Sequence, residues 1–117
     1  MPYSTVGKNA MLDYLAGVAV YVSLHTGDPG DDGSNEVSGG DPAYARQSIT
    51  WNSASSGSLD SSNTPEFDVP SSTTVAYVGF WSAESAGTFY GAADVTDEVF
   101  AGQGTYTLTD ADLDLNS

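Results

Sequence analysis

Carboxylates are the most abundant chemically capable side chains in this sequence. One segment gathers them: Asp28, Asp31, Asp32, Glu36 and Asp41 stand among glycines in residues 27–42. Hard oxygen donors on a loop are calcium chemistry, so an EF-type loop is the first pattern to test. Counting from Asp28, Asp32 and Gly33 fall where a ligand and the sharp-turn glycine belong, but the third position is Gly30 and the twelfth is Gly39. The second ligand and the bidentate glutamate are therefore missing. A looser calcium site could still use Asp28, Asp31, Asp32 and Glu36. A hydrated loop lying against a neighbouring subunit is the commoner fate of such a segment.

Catalysis by a Ser-His-Asp arrangement would have to pass through His25, the only histidine. With 12 aspartates and many serines in the chain some partner can always be named, so composition alone gives such a triad no weight. Neither a Gly-x-Ser-x-Gly elbow, nor zinc-ligand spacing, nor a phosphate-cradling glycine loop is present. Carboxylate pairs suited to glycoside hydrolysis arise by chance in a chain this acidic. The motifs point away from an enzyme and call for no cofactor.

The basic residues are Lys8 and Arg46 alone. Lys8 reads as a surface charge on a helix, whereas a single arginine kept in so acidic a chain suggests a dedicated partner. Its planar fork matches an aspartate carboxylate bidentately, supplied by the 27–42 loop or by another subunit. At the C-terminal end Asp110, Asp112 and Asp114 alternate with Ala111, Leu113 and Leu115. A metal-binding stripe of aspartates is the sharper reading of that pattern. A strand with one dry and one hydrated face explains the same period without a metal.

The elements that must carry these residues follow from periodicity. Residues 3–17 predict a short helix, with Ser4 or Thr5 as cap, Met11, Leu12 and Leu15 as the apolar stripe and Gly17 as stop. Residues 18–26 alternate, Val18, Val20, Val22 and Leu24 against Ala19, Tyr21, Ser23 and His25, which predicts a strand. Gly27-Asp28-Pro29-Gly30 ends it, and periodicity returns only at Tyr44, leading to a second strand at Ile49 and Trp51. The Ser-rich stretch 52–64 reads as a loop. Strands are then expected at 66–69, 74–81, 88–95, 105–109 and 111–115, a spacing typical of a sandwich or compact barrel. The expected fold is mainly β, an antiparallel β-sandwich or compact barrel with one N-terminal helix. It forms a single domain over 1–117, with 1–17 as the helical segment and 18–117 as the β-sandwich.

Charge is the strongest compositional signal: Asp and Glu number 16 against 2 basic residues, a formal net charge of −14. Nucleic acid is a poor partner for such a surface. At 1 M salt the Debye length is roughly 3 Å, which screens self-repulsion while hydrated carboxylates keep the surface soluble, so a halophilic source is one expectation. Cysteine is absent, which removes thiolate metal sites and redox motifs. Neither a signal peptide nor a membrane-spanning run is expected from the sequence.

The strings LHTGDPG (24–30), NEVSGG (35–40), YARQSITW (44–51), FDVP (67–70), YVGFW (77–81) and GTFYGAADV (87–95) occur in that order. Together they resemble a family of small virion structural proteins of tailed viruses, described as minor tail, tail-fibre-like or capsid-surface proteins. The resemblance covers most of the chain. It implies a non-enzymatic structural role on the outer surface of a virion and brings no catalytic motif with it. With the acidic composition it suggests a virus of a halophilic archaeon.

Within that class, the absence of heptads or repeats favours a capsid-surface decoration or turret subunit that stabilises the shell by contact with the major capsid protein. The alternative is a tail or tail-fibre component that contacts the host surface. Residues 74–81 are apolar on both faces, more than a domain of this size is expected to cover by itself. The expectation is a homotrimer with Arg46, Tyr77, Phe80 and Trp81 at its interface and the 27–42 loop at the rim.

Overall fold

The computed structural model describes residues 3–109 and 111–115. Helix α1 spans Thr5–Val18, capped by Ser4, whose Oγ accepts from the Gly7 N–H at 3.1 Å. The Ala19 N–H closes the other end on the Leu15 carbonyl. Helix geometry thus extends one residue past Gly17, and Leu12 is the only residue of α1 that is fully buried.

Strand β1 (Tyr21–His25) lies between β2 (Gln47–Ser48) and β5 (Thr73–Trp81), and β5 pairs on its other side with β6 (Phe89–Phe100). All three pairings are antiparallel. Two short antiparallel ribbons complete the chain: β3 (Ser58–Asp60) with β8 (Asp112–Asp114), and β4 (Glu66–Val69) with β7 (Gly104–Thr107). The protein is therefore mainly β and antiparallel, with one N-terminal helix, as its periodicity dictates.

Val22, Leu24, Val78 and Phe80 project from one face of the four-stranded sheet into the main core. There they join Ile49, Phe67, Val69, Val75, Phe100, Tyr106 and Leu108. Trp51 seals one side of this core, its ring 5.4 Å from that of Phe80 and its Nε1–H donating to the Ala19 carbonyl at 2.8 Å.

Several strand expectations shift. The second strand, expected at Ile49 and Trp51, is β2 at Gln47–Ser48, with Trp51 making only an isolated bridge to Ser61. The strand expected at 88–95 runs on to Phe100. The strand placed at 18–26 begins only at Tyr21, because α1 takes up Val18. The Ser-rich segment read as loop contains β3, in which Leu59 is fully buried between polar neighbours opposite Leu113. A single apolar residue gives no period to read, and only pairing with the distant β8 creates this strand. Asp110 and the side chain of Asp114 lie outside the described residues, so the aspartate stripe is placed only through Asp112 in β8.

Candidate functional site

The second face of the sheet carries Ser23 and His25 from β1 and Tyr77, Gly79 and Trp81 from β5, since these positions alternate with the core-facing ones. Ser23 and His25 are fully buried, and Phe80 and Trp81 are 0% and 8% exposed within the single chain. Phe80 and Trp81, expected at a subunit contact, are thus packed inside their own chain. Phe80 points into the main core, whereas Trp81 is covered by the long loop after β1, which folds back over the second face.

The path of that loop is built from short-range bonds. The N–H groups of Gly33 and Ser34 both bond the Pro29 carbonyl, at 3.0 and 2.9 Å, and make a tight turn. The chain then runs back beside β1, with Thr26 N–H on Asn35 O at 3.0 Å, Val37 N–H on Leu24 O at 2.9 Å, and Glu36 opposite His25. Gly33, at φ +79°, passes directly over the Trp81 ring, where a Cβ would collide with the indole.

Glu36 is thereby delivered to Arg46. Arg46 Nε donates to Glu36 Oε2 at 3.0 Å and one Nη to Oε1 at 2.9 Å, a bidentate pair. The other Nη donates to the carbonyls of Ala83 and Ala86, at 3.1 and 2.8 Å, gripping the β5–β6 turn. The guanidinium carbon lies 3.6 Å from the centre of the Trp81 ring, a cation–π stack. Tyr44 donates to Glu36 Oε2 at 2.8 Å while its oxygen accepts the Leu24 N–H at 3.0 Å. Burial raises the Tyr44 phenol well above its ordinary range, so it stays a donor. The partner of Arg46 is thus a carboxylate of its own chain.

A second set of bonds lies beneath this pair. His25 Nδ1 is 2.7 Å from the Ser34 carbonyl, which can only accept, so Nδ1 carries the proton. Nε2 then accepts the Ser23 hydroxyl at 2.6 Å, and Ser23 Oγ accepts the Trp81 Nε1–H at 2.7 Å. Burial holds the imidazole below its ordinary pKa, against the opposing effects of the Ser34 carbonyl and the Glu36 charge; the Arg46 charge adds to the lowering. Gly79 makes room, since a Cβ there would stand 2.7 Å from both His25 Nε2 and Ser23 Oγ. Ser23 and His25 have the spacing of a nucleophile and its base, but the serine is sealed from solvent, its oxygen is engaged by an indole N–H, and a carbonyl stands where a triad has a carboxylate. In this arrangement the pair locks packing in place.

The candidate calcium ligands are not brought together. Asp28 Oδ1 accepts the Gly30 N–H at 2.9 Å, Asp32 Oδ1 accepts from the N–H and hydroxyl of Ser34, and Glu36 is committed to Arg46. The Ser34 hydroxyl bond lowers the Asp32 pKa. Asp31 is exposed, and among the described residues no group of three acidic or histidine side chains converges as a metal site. Tyr77 is half-buried on β5 between His25 and Asp94. Sequence reasoning missed Ser23, Gly79, Glu36 as the partner of Arg46, and Tyr44. The one local signal was a polar serine and histidine on a strand otherwise rich in valine and leucine.

Above the Arg46–Glu36 pair is an open depression of about 430 Å³ lined by Val37, Tyr44, Ala45, Glu84, Ser85 and Ala86 together with the pair itself. Its charged floor is already paired internally. A family model described as Podophage GP4 fiber I protein gp80 matches residues 2–115. Among curated proteins, none matches the chain.

Proposed function

This chain belongs to the Podophage GP4 fiber I protein gp80 family, and on that premise we propose that it is a structural component of a viral tail fibre. In this reading the protein is part of the virion, assembles with other tail proteins and catalyses no reaction. The observation that carries it is the family match over 2–115, nearly the whole sequence. The internal saturation of its most polar cluster agrees with a packing element. The fibre description favours the tail over the capsid-surface decoration that the lack of repeats suggested.

Copy number and location test this reading. Quantitative mass spectrometry of purified virions should find the protein at a small fraction of the abundance of the major capsid protein, and immunogold labelling should decorate the tail. Stoichiometry near that of the capsid protein, with label spread over the shell, would instead establish the decoration role.

A further inference from the structure

Helix α1 packs inward through the buried Leu12 and the half-buried Leu15, and its outer face is largely apolar. Val6 is 79% and Tyr14 74% exposed, and Met11 and Tyr3 add 39% and 52%. Ala10 is exposed as well, and no atom lies within 4 Å of the position a Cβ would take on Gly17. Residues 6, 10 and 14 recur every four positions, so their side chains form one ridge along the helix. We propose that this ridge is a self-association surface on which a second copy of the chain docks antiparallel, with Ala10 at the two-fold crossing.

Two features select a second copy as the occupant. The first is charge. Each chain carries a net −14, so two copies can approach only through a surface poor in carboxylates. Asp13 is the one acidic residue of 3–27, and its Oδ1 is held by the Ala54 N–H at 2.8 Å. A basic partner would gain more on the acidic faces than here. The second is symmetry. Val6 and Tyr14 are equidistant from Ala10 in sequence, so an antiparallel two-fold sets Val6 of each copy against Tyr14 of the other, while the small residue at the centre lets the backbones approach. Tyrosines bury about 150–250 Å² each. With Val6 and Met11 the face gives on the order of 500 Å² per copy, about 1,000 Å² per pair, at the lower bound of a specific interface. The inference does not depend on where in the virion the chain sits.

Sedimentation velocity of the full chain over a wide concentration range, at about 0.15 M and about 1 M NaCl to vary screening, tests it. The wild type should dimerise reversibly, more tightly in high salt. Ala10→Glu sets two like charges at the crossing and should weaken the dimer by about 100-fold. Val6→Lys and Tyr14→Glu should each weaken it, and the double variant should restore it, because opposite charges then meet twice across an antiparallel pair. Circular dichroism and melting curves verify that the variants stay folded, as substitution of exposed positions should allow. A wild type that stays monomeric at every concentration, an Ala10→Glu variant that dimerises like wild type, or a double variant no tighter than either single one would overturn the proposal.

Discussion

Arg46 lies on the face of Trp81, 3.6 Å from the ring centre, and the same arginine clamps Glu36 bidentately and holds two carbonyls of the β5–β6 turn. One side chain therefore ties together the loop after β1, the end of β5 and the turn beyond it. Its contribution lies both in charge and in covering the indole.

Replacing Arg46 by Ala should leave Glu36, part-buried at 23% side-chain exposure, without its cation and uncover Trp81. Breaking a fully buried pair costs about 3–5 kcal/mol, and partial solvation of Glu36 reduces the expected loss to about 2–4 kcal/mol. Arg46→Lys should recover little, because an ammonium cannot make the bidentate fork or the planar stack. Chemical denaturation measures both. A loss below about 1 kcal/mol, the size of an exposed pair, would show that the clamp is not structural.

Gly79→Ala should be destabilising although alanine suits a strand better than glycine. The added methyl would meet His25, Ser23 and Phe89, at 2.7, 2.7 and 3.1 Å. Overpacking of this kind costs about 1–3 kcal/mol. Gly91→Ala, on the neighbouring strand with nothing within 4 Å of the added carbon, is the control and should be near neutral. Equal melting temperatures for the two variants would contradict the tight packing at Gly79.

His25 gives a signed pH dependence. Its folded pKa lies below the ordinary value of 6.5, so over the window beneath 6.5 the unfolded chain binds more protons than the folded one. Stability from this group is complete above about 6.5 and falls as pH drops from there towards the depressed folded value. Protonation would also place a donor at Nε2 facing Ser23, whose oxygen already accepts from Trp81. Melting temperature should decline between about pH 7.5 and 5.5, and the decline should be largely absent in His25→Gln even where that variant starts lower. Identical slopes for the two proteins would assign the effect elsewhere.

The net charge of −14 gives a salt dependence opposite to that of a fold held by surface ion pairs. Going from about 0.01 M to about 1 M NaCl shortens the Debye length from roughly 30 Å to roughly 3 Å, relieving repulsion among exposed carboxylates. The partly buried Arg46–Glu36 pair is screened less. Melting temperature should therefore rise with NaCl. A flat or falling trend would show that carboxylate repulsion is not a significant load on the fold.

Local periodicity was enough to write much of this protein from its sequence. Alternation in Val22, Ser23, Leu24 and His25 set the two faces of β1, the run at 74–81 marked a strand buried on both sides, and the isolation of Arg46 in an acidic chain pointed to a carboxylate. Only the tertiary structure decided what covers the second face of β5. From the sequence alone that task falls to another subunit, with Trp81 at the contact, because a long Gly/Asp loop has no period and shows no affinity for an indole. The covering contacts join residues far apart, Arg46 to Ala83 and Ala86, Trp81 to Ser23, Gly33 to Trp81. Such pairings depend on how strands align, which periodicity within one segment does not encode. The same holds for β3, where Leu59 becomes part of a strand only because Leu113 arrives opposite it.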